Sequence, residues 1–167
     1  TRVSDRIIHG TPELPTTIAY SRDGQVLAVG AFGVDTDIHL WDIASGNPIR
    51  RLEGHRAFIH QVAFSPDNQW LASASADQTV RLWDWKTGEC VAVFRGHLGE
   101  VWSVAFNADG KTLFSASKDG TVRAWPIANR IERRSSQWIS GLSDFAGFLA
   151  DNRTLVCLST NSTVELW

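Results

Sequence analysis

The sequence predicts an all-β fold assembled from four copies of one small unit, and three observations predict it. The first is a ruler: 42 residues separate His55 from His97 and Trp83 from Trp125, and the same step reaches Trp41 and Trp167. The second is internal copying. Val62-Ala63-Phe64-Ser65-Pro66-Asp67 returns as Val104-Ala105-Phe106-Asn107-Ala108-Asp109, and Leu71-Ala72-Ser73-Ala74-Ser75 as Leu113-Phe114-Ser115-Ala116-Ser117. The third is the spacing within a copy, where short alternating apolar runs are separated by turn residues every ~8–12 positions, the pattern of short antiparallel strands. A unit of this size cannot bury its own apolar face, so neighbouring copies must cover one another.

In order, Thr1–Ile8 reads as a short strand whose apolar residues are Val3, Ile7 and Ile8. The two prolines of Thr11–Pro15 mark a loop, because proline removes a donor and restricts the residue before it. Ile18–Ser21 is an inner strand, Asp23-Gly24 its turn, and Gln25–Gly30 the next strand. The following turn, Ala31–Asp37, is two residues longer than its counterparts, and Ile38–Trp41 returns from it with period-2 alternation. Ser45–Pro48 and Lys86–Glu89 are equivalent turns, leading to outer strands at Ile49–Leu52 and Cys90–Phe94. Beyond Trp125 the pattern weakens. Pro126 stands where an Asp follows the other Trp, and the polar stretch Arg130–Gln137 reads as an exposed outer strand. Its Arg130, Arg133 and Arg134 discourage pairing with foreign edges. Phe145–Asn152, Thr154–Ser159 and Thr163–Trp167 complete the strands.

The Gly54-His55 and Gly96-His97 pairs, the turn residues Asp77 and Asp119, and Trp83-Asp84 together resemble the WD-repeat β-propeller family. The likeness is strongest in the two middle copies, partial over Ile18–Asn47 and weakest over Trp138–Trp167. It implies a β-propeller of four-stranded antiparallel blades in a single domain, residues 1–167, with repeats near 9–52, 53–94, 95–136 and 137–167. Residues 1–8 would then be the outer strand of a preceding or closing blade. Because the family commonly closes its ring with a strand from the opposite terminus, this segment could complete the blade ending at Trp167. A closed ring of four would turn about 90° per blade, against about 51° in the seven-bladed kind. The expectation is therefore a fragment of a longer array or half of a two-chain ring, ahead of a closed four-bladed ring.

Composition excludes several partners. With 43% hydrophobic residues, 20% charged residues and a net charge of −2, the chain has neither the basic excess of a nucleic-acid binder nor a long apolar run suited to a membrane. No signal-peptide pattern is present, and Cys90 and Cys157 lie outside any Cys-x-x-Cys, which reads as two packed thiols in the cytoplasm. No Gly-rich phosphate loop occurs and the five histidines lack metal-ligand spacing, so neither a cofactor nor a metal is expected.

His55, Ser73 and Asp77 have the residue types of an acyl-transfer triad. The trio recurs as His97, Ser115 and Asp119, and a set stamped once per repeat is a structural device rather than one active site. The family resemblance implies what the device is: hydrogen-bonded chains Trp83–Ser73–His55–Asp77 and Trp125–Ser115–His97–Asp119. Ser75 or Ser117 could serve instead, since positions two apart share a sheet face. Val29 takes the serine position in the first copy, Ile139 the histidine position and Asn161 the Asp position in the fourth. Those blades are expected to lack the chain and to be less stable.

The resemblance also places partner binding on the loops of one face, three and five residues beyond the Gly-His histidine and one before the turn Asp. These positions are Phe58, His60 and Ala76, then Glu100, Trp102 and Lys118, with Thr16 in the first copy and Leu142, Asp144 and Thr160 in the fourth. Phe58 and Trp102 suit interface anchors. Glu100 beside two aromatics suggests a cage for a lysine or methyl-lysine peptide. The expected function is a non-catalytic protein- or peptide-binding scaffold within a larger signalling or assembly protein. The alternatives are a serine hydrolase using a Ser-His-Asp set and a self-assembling ring joined through open end blades.

Overall fold

Each unit folds as a meander, because its apolar runs are joined by turns too short for anything but antiparallel neighbours. The computed structural model describes residues 14–127 in full and the backbone alone of strands 137–140, 145–148, 155–158 and 164–166. The first sheet holds β1 (Pro15–Tyr20), β2 (Val26–Ala31), β3 (Ile38–Asp42) and β4 (Pro48–Leu52) in that order. The second holds β5 (Ile59–Phe64), β6 (Leu71–Ser75), β7 (Thr79–Asp84) and β8 (Glu89–Arg95). The third holds β9 (Val101–Phe106), β10 (Thr112–Ser117), β11 (Thr121–Pro126) and β12 (Gln137–Ser140). In the fourth, β13 (Phe145–Phe148), β14 (Leu155–Leu158) and β15 (Val164–Leu166) pair as three strands. The described residues contain no helix, and the first three sheets are the four-stranded antiparallel blades the repeat predicts. The expected strand Thr1–Ile8 lies outside the described residues.

The first strand of each blade is its inner one: β5 packs beside β1 and β9, and β9 beside β13. The run of blades does not close into a ring among the described residues. Side chains stitch the inner strands where no ladder joins them. Thr17 Oγ1 accepts the Val62 N–H at 3.2 Å, Thr16 Oγ1 donates to the Ile59 carbonyl at 2.7 Å, and Gln61 Oε1 accepts the Val104 N–H at 2.8 Å.

The core lies between blades. Val26, Ala28, Ile38 and Leu40 of the first meet Ile59, Val62, Leu71 and Trp83 of the second. Ala72, Ala74, Val80 and Leu82 on the opposite face of the second meet Val101, Val104, Leu113 and Trp125 of the third. This is why β6 reads as an unbroken buried run, with all five residues inside, while the inner strands of the first three blades and the outer strands of the first two are buried only in part.

Two sequence expectations shift. Pro15 belongs to β1, where it pairs with Ala31, rather than to the preceding loop. The first residue of a strand is a position where proline is tolerated. The outer strand of the third blade is Gln137–Ser140 rather than Arg130–Gln137, so this blade extends past the expected boundary at 136. Val122 pairs with Ile139 as Val80 pairs with Phe94, so Ile139 is the counterpart of Phe94 and not of His97. The register has slipped by three residues here, a change that a fixed step cannot detect. Arg130, Arg133, Arg134, Leu142, Asp144, Thr160 and Asn161 lie outside the described residues.

Candidate functional site

A tight turn between the second and third strands of the second and third blades carries an Asp back over the loop that enters the blade. Asp77 Oδ1 accepts its own turn's Thr79 N–H at 2.9 Å and hydroxyl at 2.6 Å, while Oδ2 takes the His55 ring at 2.8 Å and the Arg56 N–H at 3.1 Å. Asp119 repeats the arrangement with Thr121, His97 and Leu98. Each histidine continues inward. His55 Nε2 lies 2.7 Å from Ser73 Oγ, which accepts the Trp83 indole N–H at 2.9 Å. His97 Nε2, Ser115 and Trp125 repeat this at 2.8 Å for each contact. All eight residues expected in the two chains are thus brought together, with Ser73 and Ser115 in the serine place. Ser75 and Ser117 are used differently, and their hydroxyls donate to the carbonyls of Phe58 and Gly99 in the entering loops.

The donor order fixes the protons. Ser73 uses its oxygen lone pair on the indole and its single proton on His55 Nε2, so Nδ1 carries the imidazole proton and gives it to Asp77. Burial pushes His55 and His97 below the ordinary histidine range, against the pull of their Asp partners. Burial alone would raise the two carboxyls. The hydrogen bonds from His55, Thr79 and the Arg56 N–H outweigh it at Asp77, and those from Thr121, the Leu98 N–H and His97 hold Asp119 at about 2. Both trios have triad distances, yet Ser73 and Ser115 are fully buried and already hold an indole N–H. Neither can present its oxygen to a substrate.

Two further members repeat on the ruler and escaped the sequence reading: Thr79 with Thr121, and Arg81 with Arg123. The Arg81 and Arg123 guanidiniums lie 5.7 and 5.8 Å from the Trp83 and Trp125 ring centres. Gly54 and Gly96 let them approach. Both glycines have φ near +147°, with values of 146 and 148, and a Cβ on Gly54 would fall 2.5 Å from Arg81 Nη1. The first blade shows what the chain is for. Val29 pairs with His39 as Ser73 pairs with Arg81, which puts Val29 in the serine place. There the buried Trp41 Nε1 has no hydrogen-bond partner among the described residues. Asp35, one ruler step before Asp77, instead takes His39 Nε2 at 2.8 Å.

The same loops carry the expected partner-binding residues, and the structure gathers five of them. Phe58 lies edge-on to His60 with ring centroids 4.8 Å apart. His60 Nε2 and the Trp102 indole N–H each approach Glu100 Oε2 at 3.3 Å, and Lys118 Nζ approaches Oε1 at 3.4 Å. The Trp102 N–H, foremost, together with His60 and Lys118 keeps the Glu100 carboxyl below its ordinary range. Ala76 is half-buried at the place Lys118 takes in the next blade. Thr16 is used in the stitch to Ile59. Phe32 was missed. Its N–H donates to the Leu14 carbonyl as Ala76 does to Phe58 and Lys118 to Glu100, so Phe32 is their first-blade counterpart. The two extra residues of the β2–β3 turn hid this equivalence. Phe32 packs on Phe58 with centroids 4.4 Å apart.

At the opposite end of the inner strands an open cavity of about 340 Å³ is lined by Tyr20, Arg22, Phe64 and Phe106, among others. Polar atoms in its wall are engaged: Gln61 by the Val104 N–H, Ser65 by Asp67 and the Trp70 N–H, and Asn107 by the Thr112 N–H. The described residues include no group of three or more His, Cys, Asp or Glu side chains that could hold a metal ion. They include no helix long and apolar enough to cross a membrane.

The family model described as "WD domain, G-beta repeat" matches residues 6–42, 46–84 and 88–126. The chain belongs to the WD-repeat family. Its relatives include an uncharacterized WD repeat-containing protein of Schizosaccharomyces pombe, 35% identical over 43% of this chain and 15% of that protein. Small ribosomal subunit protein RACK1z of Arabidopsis thaliana is 40% identical over 36% of this chain and 17% of its own length. The U5 small nuclear ribonucleoprotein 40 kDa protein of Bos taurus is 36% identical over 46% and 21%. The chain thus matches only about a fifth or less of these relatives. In this WD-repeat chain the two intact hydrogen-bond networks fall in the second and third matched repeats, and the interrupted one in the first.

Proposed function

We propose that the chain is a non-catalytic scaffold that binds a protein or peptide through the loop face running from Phe32 and Phe58 through His60 to Glu100, Trp102 and Lys118. The observation that carries this reading is the continuity of that strip across three blades, ring on ring and then ring on carboxylate. Rigid blades hold the loops, which suits a scaffold that presents a site. Phe32 is 49% exposed, and Leu14 and Val34 near it are 57% and 100% exposed. Apolar area of this kind, gathered on one face, marks an interaction surface. Membership of a ribosomal subunit and of a nuclear ribonucleoprotein, given in two relatives' names, agrees with an assembly role. A cytoplasmic setting, a place in a larger signalling or assembly protein and self-association through the end blades belong to the same reading. The test is selection of binding peptides on the whole chain, followed by titration on Phe58→Ala and Trp102→Ala. Anchor residues of an interface lose at least about tenfold on truncation. Peptides that bind both variants as well as the parent would remove the face from consideration.

A further inference from the structure

The loop-face reading leaves the partner's chemistry open, and the Glu100 cluster narrows it. Glu100 does not serve the blade. The same backbone position is Phe58 in the preceding blade, and the position of Lys118 is Ala76 there and Phe32 in the first. Neither charge is therefore required by the fold. The contacts differ too: the network carboxylate Asp77 receives the His55 ring and the Thr79 hydroxyl at 2.8 and 2.6 Å, whereas all three partners of Glu100 stand at 3.3–3.4 Å. Those distances lie at the long end for N–H···O bonds. The Lys118 side chain is 59% exposed and Glu100 34%, and an ion pair so open to water contributes little. An ionised carboxylate beside an indole, closed by one weakly held ammonium, is a seat for a cation with a replaceable occupant.

We propose that Lys118 is a resident stand-in on Glu100 for a cationic side chain of the partner, and that the partner is an extended peptide carrying an apolar residue two positions from an arginine. This rests on the loop-face reading. The apolar end of the strip is Phe32, Val34 and Phe58. With Phe58 and His60 centroids 4.8 Å apart and His60 Nε2 3.3 Å from Glu100, apolar ring and carboxylate lie within about 10 Å of each other. Residues two apart on an extended strand share a face and stand about 6.7 Å apart, and the arginine side chain spans the remainder. Guanidinium displaces ammonium here because its planar fork can hold both carboxylate oxygens while stacking on an indole. The carboxylate is flanked by Trp102 and His60, with Phe58 one ring further away. The two-aromatic cage expected for methyl-lysine is thus not assembled around Glu100. A fully methylated ammonium would also lack the donors that Glu100 accepts.

The experiment titrates the 167-residue chain with acetyl-Gly-Leu-Gly-Arg-Gly-amide and with the same peptide carrying neutral citrulline for arginine. Binding is followed by the Trp102 indole N–H resonance, assigned with Trp102→Phe. The arginine peptide is expected to shift that resonance and the citrulline peptide to leave it. Lys118→Ala should bind the arginine peptide about threefold to fivefold more tightly, the equivalent of removing a weak exposed pair, and Glu100→Gln should lose it. Both variants should keep the parent melting temperature, since neither side chain supports a blade. Unchanged or weaker binding by Lys118→Ala, equal binding of the two peptides, or no binding of the arginine peptide to any variant overturns the resident-lysine proposal. The loop-face reading survives those results if selected peptides still depend on Phe58 and Trp102, and falls separately if they do not.

Discussion

Ser73 makes two hydrogen bonds that no other residue type of its size can make together, accepting from the Trp83 indole and donating to His55. Its removal leaves a buried indole N–H and a buried imidazole nitrogen unpaired, each costing about 1–3 kcal/mol. Ser73→Ala is expected to lose about 2–4 kcal/mol of unfolding free energy in urea, and a loss below about 1 kcal/mol would show that the network is not cooperative. Nature has run the complementary case at Val29, where Trp41 Nε1 is buried and has no partner among the described residues. Threonine keeps the shape of valine while offering that indole an oxygen. Val29→Thr should therefore cost less than half of what Val80→Thr costs, since fully buried Val80 sits in the apolar seam with Val101, Val104 and Leu113. Equal urea midpoints for the two variants would refute the assignment of Val29 to the serine place.

At the scale of the blade, the second and third sheets were legible almost strand for strand, because the 42-residue step is unbroken from His55 to Trp125 and strand, turn and network residues recur together. Legibility failed where lengths changed. Two residues added between β2 and β3 concealed Phe32 as the counterpart of Ala76 and Lys118, which only the backbone bond to Leu14 reveals. A three-residue slip before β12 misassigned Ile139. The network's His, Ser, Asp and Trp could be carried over from the family's pattern. Thr79 and Arg81 could not, although they recur as Thr121 and Arg123, because β-strands are rich in threonine and a mid-strand arginine on a repeat looks like a solvated residue. The seams between blades were the least legible part, since a contact such as Gln61 Oε1 with the Val104 N–H joins strands 43 residues apart and leaves no local trace. That bond makes its own prediction. Val104 is buried, and Gln61→Ala leaves its N–H without that acceptor. Loss of about 1–2 kcal/mol, with faster hydrogen exchange at Val104 than at Val62, is expected, and uniform exchange along both strands would show that the seam is held by apolar packing alone.

For the whole molecule the two networks act in parallel, and their proton inventory sets how stability responds to pH. His55 and His97 are held neutral, with affinities for a proton below the ordinary value of 6.5. The unfolded chain therefore binds protons first as the pH falls, and folding stability decreases from about pH 6.5 downward. Asp77 and Asp119 act in the same direction lower down. Their folded values lie below the ordinary 3.8, with Asp119 at about 2, so their contribution is present above about pH 4 and is lost as the pH falls toward 2. The expected curve of urea midpoint against pH has a plateau above about 7, a first decline through 6 and a second below 4. His55→Asn tests the assignment of the first decline. If the buried imidazoles are responsible, this variant is less stable at pH 7.5 but loses less between pH 7.5 and 5.5 than the parent does, because one of its two titrating networks is gone. A parent curve that is flat over that interval, or a decline of undiminished size in His55→Asn, would mean that the histidines are not held neutral. Ser73 and Ser115 would then have to accept from the imidazole Nε2–H as well as from the indole, rather than donate to the ring.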